Sequence, residues 1–323
     1  MRIAFLGKGG AGKTTTSAGF IQYLAKRYPF VLAVDADLNA HLKSALSITG
    51  EVEQLGLHFD EVTAFLRGNR KDLLDRPMIG TTPPAKGSNF ITPRRNDPFV
   101  QKYAFFHQNI ALLTVGTYQQ EDVGGSCYHE KLKSLAGIFH HLIDTDEDLI
   151  VADTTAGTDN VATSLSFAYD MNVFVLEPTE KSTQVLLDFE QIAGNLGART
   201  YVVGNKVDGD EDSDYIKGRV GEEKYLGSIP FSRNLKRFEQ GEEEALEGFA
   251  KEQEETFANI LKVWQSQKRN WPEYLTRLHK TYKWDCERWY NDYYKQDLLT
   301  GIDKTFTYND ALKAHEQDKL AKV

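Results

Sequence analysis

Nine residues near the start of the chain, Gly7-Lys8-Gly9-Gly10-Ala11-Gly12-Lys13-Thr14-Thr15, have the composition and spacing of a phosphate-binding loop. Four glycines within six residues follow the apolar run Ile3 to Leu6. They let the backbone come close to a ligand, and successive N–H groups then form a nest for anionic oxygens. A helix expected from about Lys13 to Lys26 adds the positive end of its dipole at the same spot. Lys13 would neutralise charge on the outer phosphates, and the Thr14 hydroxyl is placed to ligate magnesium. A glycine-rich turn that binds nothing is the plain alternative; the flanking strand and helix argue against it.

Carboxylates fall beside this loop. Phe30 to Val34 reads as a buried strand that delivers Asp35-Ala36-Asp37-Leu38-Asn39 at its carboxyl end, where open α/β sheets bind ligands. Two aspartates are more than a strand end needs, although either could cap the helix that follows. Leu149 to Ala152 delivers Asp153-Thr154-Thr155-Ala156-Gly157 in the same way. A different chemistry is offered by Gly124-Gly125-Ser126-Cys127-Tyr128-His129, which leads into a helix expected over 130–142. Thiolate and imidazole suit late first-row divalent ions, and a helix N-terminus eases thiolate formation. Cys127 as a small packed residue and His129 as a helix-surface side chain is the alternative.

The second lysine of the loop, Lys8, makes the segment K-G-G-x-G-K-T-T, which resembles the deviant Walker A loop of ATPases that include ParA and MinD, nitrogenase iron protein, the arsenite pump ATPase and CooC-like metal-insertion ATPases. The resemblance covers roughly the first four-fifths of the chain. It implies ATP and Mg as cofactors, with Gly9 to Thr15 cradling the phosphates. Lys8 would reach across a nucleotide-sandwich homodimer to the partner's phosphates. It implies further that Asp37 orients the attacking water, that Asp35 lies nearer the magnesium shell, that Asp153 holds magnesium through a water, and that Gly157 lets the second switch rearrange. Asn205 matches an adenine-contacting asparagine, with Lys206 beside it, and Pro230 stands where the base pocket is often closed by backbone. Read literally, Asn205-Lys206-Val207-Asp208 is also the guanine signature of related GTPases, so GTP stays open beside ATP.

Two departures bear on the task. CooC-like proteins carry Cys-x-Cys where this chain has Cys127-x-His129; a dimer would then offer two sulfurs and two imidazoles for one Zn or Ni. Nitrogenase iron protein and its cluster-carrying cousins place a cysteine where this chain has Ala156, so a bridging iron–sulfur cluster is not expected.

The chain has 323 residues, a net charge of −9, and two cysteines, Cys127 and Cys286, too few for a disulfide framework. It lacks an apolar run of the 18 or so residues needed to span a bilayer. The first strand starts too early to leave room for a secretory signal, so a cytoplasmic protein without a membrane anchor is expected. The acidic balance argues against nucleic-acid binding as the main activity. Between Pro77 and Pro98 five prolines predict a long surface loop within an irregular stretch from 50 to 109. Further buried strands are expected at Ile110 to Val115, Met171 to Leu176, Arg199 to Val203 and Tyr225 to Ile229. Ser182 is expected to cap a helix over 183–196, and another helix is expected from Glu242.

Phe257, Leu261, Trp264, Trp271, Leu275, Leu278, Tyr282, Trp289 and Tyr293 recur at helical spacing, and Asn270 before Trp271-Pro272-Glu273 reads as an N-cap. Each would contribute roughly 1.5 to 3 kcal/mol when buried, so the seam must pack on its own domain, a second copy or a client. The expected fold is a mostly parallel, doubly wound α/β sheet of seven or eight strands, with a P-loop ATPase unit over 1–265 and a helical extension over 266–323. The expected function is a dimeric ATP-hydrolysing switch that assists metal insertion into a metalloenzyme. A ParA/MinD-type positioning ATPase acting on a scaffold, or a switch that docks a client through its C-terminal helices without metal, are the alternatives.

Overall fold

The structure is a computed structural model and describes residues 1–117, 128–157 and 164–320. Eight strands form one sheet in the order β3-β4-β2-β5-β1-β6-β7-β8. They are β1 Arg2–Leu6, β2 Val31–Ala36, β3 Phe105–His107, β4 Ile110–Thr114, β5 Ile150–Thr154, β6 Met171–Leu176, β7 Thr200–Val207 and β8 Tyr225–Pro230. Every pairing is parallel except β3 with β4. Strands β1, β2, β4, β5 and β6 are buried at every position, which is why they read as near-continuous apolar runs. Two layers of helix cover the sheet, with a core on each face.

On one face, helix Lys13–Ala25 packs with Ala245–Glu252 and Glu254–Ser266 through Phe20, Phe249, Phe257 and Trp264. On the other, helices Phe59–Arg67, Tyr128–His140 and Glu180–Ala193 contribute Leu66, Leu135 and Phe189. No described helix is long and apolar enough to cross a membrane.

Several local expectations change. The residues from 78 to 85 form no surface loop: all are buried, because the end of the chain lies over them. Thr81 Oγ1 donates to Asp285 at 2.7 Å, and the buried Arg70 bonds the carbonyls of Pro83 and Gly301 at 2.8 and 2.7 Å. Within the stretch expected to be irregular, Asp97 caps helix Pro98–Tyr103 and β3 forms a hairpin with β4. The cap of helix Glu180–Ala193 is Thr179, whose hydroxyl accepts from Ser182 N, while Ser182 Oγ accepts from Glu177 N. The helix expected from Glu242 is preceded by another, Arg233–Glu239, capped by Ser232.

The C-terminal seam packs largely in cis. Asn270 does cap helix Trp271–Asp285, which runs through a π-helical turn at Cys286–Tyr290 into Asn291–Tyr294. Tyr274 and Leu278 pack with Ile143, Phe167, Phe306 and Tyr308, while Tyr282 and Cys286 pack with Ile79 and Leu298. Burial pushes the Cys286 thiol up to about 12, so it is an inert core residue. A buried charge cluster bolts this layer down. Arg269 forks onto Asp170 at 2.9 and 2.6 Å and reaches Asp144 at 2.7 Å, where Arg2 also binds at 2.9 and 2.7 Å. Two members of the seam remain in water: Trp289 is 58% and Tyr293 78% exposed.

The ring of His140, at the end of helix Tyr128–His140, meets Tyr274 Oη at 2.7 Å and Ser164 Oγ at 2.9 Å. Burial holds its imidazole well below the ordinary histidine range and holds that of His141 at about 4. Both are neutral in the fold, whereas the unfolded chain protonates them below about pH 6.5. Stability is therefore fully present above that pH and falls as acid is added, by at most about 1.4 kcal/mol per pH unit for each group. Between pH 7 and pH 5 the two histidines are expected to make the urea midpoint fall more steeply with acid than in the chain without them, against the opposite contribution of the buried carboxylates Asp35 and Asp153. His141→Asn, which keeps a donor toward the Gly137 carbonyl, should flatten that slope; an unchanged slope would place the acid sensitivity elsewhere.

Candidate functional site

The carboxyl ends of β1, β2, β5, β6 and β7 share one edge of the sheet, and the glycine-rich loop leaves β1 between β5 and β6. The turn closes with Ala11 N donating to Lys8 O at 3.1 Å, and Gly10 and Gly12 take φ of 80° and 94°. A side chain at Gly12 is excluded twice, by this left-handed backbone and because a Cβ would lie 2.2 Å from Asn205 Nδ2. Gly9 and Gly10 face solvent. The buried Lys13 folds back until its ammonium is 3.5 Å from Lys8 O, poised over the cradle, and Thr15 sits partly exposed in the first turn of the helix.

The strand register brings the acidic residues together. Asp35 and Asp153 are ladder partners across β2 and β5, and both are fully buried. Thr14 Oγ1 donates to Asp153 Oδ2 at 2.6 Å. Asp153 Oδ1 and Thr155 Oγ1 are buried without a partner among the described residues. Burial, reinforced by the charge of Asp37, lifts Asp153 to about 7 against the opposing pull of the Thr14 hydroxyl and Lys13. Burial and then the charge of Asp153 push Asp35 well above the usual carboxylate range. An oxygen-only donor set with orphaned buried oxygens fits a hard divalent ion, so Thr14 and Asp153 are the residues that would hold Mg.

Asp35 is otherwise engaged: its oxygens accept from Asp37 N at 3.2 Å and Leu42 N at 3.0 Å, which braces the segment leaving β2. Asp37 is aimed by an Asx turn, its Oδ1 accepting from both nitrogens of Asn39 at 2.8 and 2.9 Å. Gly157, at φ 81°, donates to Gly7 O at 3.2 Å and so ties the segment that follows β5 to the base of the loop.

At the far side of the loop, Asn205 Nδ2 donates to Ala11 O at 2.6 Å and Lys206 Nζ donates to Gly10 O at 2.9 Å. Pro230 pairs with Val207 at the exposed end of β8. A residue not singled out by sequence is Glu177, at the end of β6. It binds Lys206 at 2.6 Å and lies 4.0 Å from Lys8 Nζ, so Lys8, 40% exposed on the rim, has an anchor in its own subunit. Its only sequence signal is position, one residue past a buried strand on the ligand-binding edge. Cys127 lies outside the described residues, as does the side chain of His129; among the described residues no group of three or more metal-binding side chains occurs.

Comparison with known proteins follows this geometry. Residues 3–245 match the CobQ/CobB/MinD/ParA nucleotide binding domain. The chain is similar to the carbon monoxide dehydrogenase accessory protein CooC of Rhodospirillum rubrum, with 29% identity over 241 residues, 74% of this chain and 87% of that one. It is 28% identical over 269 residues to an uncharacterized ATP-binding protein of Methanocaldococcus jannaschii, covering 81% of this chain and 98% of the other. Among solved structures it resembles a ParA family ATPase from Chlorobium tepidum (TM-score 0.51, 17% identity, 81% and 96% coverage) and MinD of Aquifex aeolicus (0.51, 19%, 83% and 99%). At these identities the structures speak to the fold.

Removing the Lys13 ammonium deletes a charge-assisted contact to phosphate, so Lys13→Ala is expected to weaken triphosphate binding by about tenfold to a hundredfold. Gly12→Ala should do the same by displacing Asn205. Isothermal titration with a nonhydrolysable ATP analogue checks both; wild-type affinity in either variant would contradict the placement of the cradle.

Proposed function

Because this chain belongs to the CobQ/CobB/MinD/ParA nucleotide-binding family, we propose that it is an ATP-hydrolysing, Mg-dependent homodimeric switch that assists the maturation of a metalloenzyme. The observation that carries the maturation role is the similarity to a carbon monoxide dehydrogenase accessory protein along about three-quarters of the chain. The switch role rests on the site: a phosphate cradle, an aimed Asp37, and a half-exposed Lys8 on the rim.

In this reading Asp37 orients a water toward the terminal phosphate, and its Asx turn keeps the carboxylate from swinging away. Lys13 and the cradle N–H groups take up charge as it develops on the phosphate oxygens. A bound Mg ion supplies further neutralisation of the phosphates. Lys8 leaves Glu177 and meets the nucleotide of a second subunit, and a cation supplied in trans can contribute about 10³ to 10⁵ in rate. Asn205, Lys206 and Pro230 border the base. Cys127 and His129 from two subunits would hold the cargo metal, Zn or Ni. Residues 1–265 carry the nucleotide chemistry, and the extension over 266–323 offers Trp284, Trp289 and Tyr293, all exposed, to a client.

Asp37→Ala should accumulate an ATP-bound dimer that hydrolyses slowly, and Lys8→Ala should stay monomeric with ATP. Light scattering with and without nucleotide reads both, and normal turnover in Asp37→Ala would assign the water to another residue. The purified ATP-bound dimer is expected to take up one Zn or Ni per two chains, and Cys127→Ala to take up none. A wild-type dimer that binds neither metal would remove the cargo site from this proposal.

A further inference from the structure

Glu177 stands between two lysines at the rim of the phosphate loop, and its own backbone is fixed. It is the first residue after β6; its N–H donates to Ser182 Oγ at 3.0 Å and its carbonyl accepts from Thr179 N at 2.7 Å, at the entry to helix Glu180–Ala193. Strand β6 in turn lies hard against the base of the loop, where a Cβ at Gly7 would come within 2.5 Å of Val175 O. The carboxylate, 19% exposed, divides its two oxygens. Oε1 accepts from Lys206 Nζ at 2.6 Å, and Oε2 lies 4.0 Å from Lys8 Nζ.

The two lysines are held unequally. Lys206 sits at a left-handed φ of 58° in the slip of the β7–β8 pairing, and its ammonium also donates to Gly10 O at 2.9 Å. A short ion pair and a loop carbonyl therefore fix it. Lys8 has a single, long ion pair among the described residues. Its backbone cannot follow its side chain, because Lys8 O accepts from Ala11 N at 3.1 Å and from Lys13 Nζ at 3.5 Å. Release of Lys8 is thus a side-chain rotation, and it leaves Glu177 paired with Lys206. A partly buried carboxylate stripped of every cation would be costly; here the departing lysine strands no charge.

We infer that Glu177 is the positioning residue of Lys8: it keeps the ammonium in its own subunit and sets how readily two nucleotide-bound subunits close. The inference rests on the proposed dimeric switch, in which Lys8 acts across the interface. Lys206 completes the latch, because it neutralises Glu177 once Lys8 has gone. A solvent-facing ion pair of this kind is worth about two- to fivefold, and a symmetric dimer opens two of them, so the latch opposes closure by about four- to twenty-five-fold in the dimer dissociation constant.

The test is the dimer dissociation constant of the full chain, read by light scattering against protein concentration with Mg and a saturating nonhydrolysable ATP analogue. Glu177→Gln keeps an oxygen for Lys206 and removes the charge that holds Lys8. Its dimer is expected to be tighter than wild type by about four- to twenty-five-fold, a gain that a damaged fold cannot produce. Glu177→Gln combined with Lys8→Ala should show no gain over Lys8→Ala alone. Lys206→Ala leaves Glu177 with Lys8 as its one cation, so its dimer should be weaker than wild type, and adding Glu177→Gln should strengthen it again. A Glu177→Gln dimer no tighter than wild type, a tightening that persists without Lys8, or a Lys206→Ala dimer that Glu177→Gln does not strengthen overturns the inference and leaves the switch proposal standing. Wild type and Glu177→Gln that both stay monomeric with the analogue overturn both.

Discussion

Two carboxylates that are ladder partners and both fully buried, Asp35 on β2 and Asp153 on β5, set the main constraint on this fold. Placing two such groups side by side in a low-dielectric sheet costs free energy unless something answers their charge. The answers come from several segments. The backbone N–H groups of Asp37 and Leu42 neutralise the demand of Asp35, and in doing so they define the path of the chain that aims Asp37. The Thr14 hydroxyl and the nearby Lys13 act on Asp153, which still keeps one oxygen without a partner among the described residues. Strand register, the Asx turn at Asp37 and the first turn of helix Lys13–Ala25 are all consequences of the same local need.

This explains which parts could be read from sequence. Strands buried on both faces announce themselves as apolar runs, and the edge they share collects the residues that follow them, so Asp37, Asp153 and Asn205 could be placed beside the loop before any coordinates. Glu177 follows the same logic but was hidden by an ordinary proline-containing turn. Features that depend on distant residues were not legible. The prolines between 77 and 98 predicted a surface loop because nothing local shows that Tyr282, Asp285 and Gly301, about two hundred residues later, lie over it. Strand β3 is three half-buried residues long, too short for alternation to show. Pro98 read as the last of a run of loop prolines, although with Asp97 before it the pair is a helix start. At Ser182 the boundary was displaced because two hydroxyl residues three apart compete for the cap, and Thr179 wins.

The extension is joined to the nucleotide unit by polar contacts more specific than its aromatic seam would require. Hydrophobic surface alone would let helix Trp271–Asp285 slide, since large aromatic side chains tolerate many registers. The Arg269 fork onto Asp170 with its third contact to Asp144, and the Tyr274 hydroxyl on His140, fix one register. A buried pair of this kind contributes little net stability relative to well-packed apolar groups, and breaking it by removing one partner is costly. Its effect is to make the position of the extension definite relative to helix Tyr128–His140.

That definiteness matters for how a nucleotide signal could leave the site. His140 ends the helix whose other end adjoins Cys127 in sequence, and it also touches Ser164, the first described residue after Gly157. Tyr308 Oη donates to the His140 carbonyl at 2.6 Å, so the last helix of the chain grips the same residue. A displacement of Ser164 would therefore act on a neutral, fully bonded imidazole rather than on a loose packing contact, and hydrogen bonds of fixed direction transmit a shift where apolar contacts would absorb it. The extension also meets helix Tyr128–His140 where the Lys133 ammonium lies 5.5 Å from the centre of the Tyr290 ring.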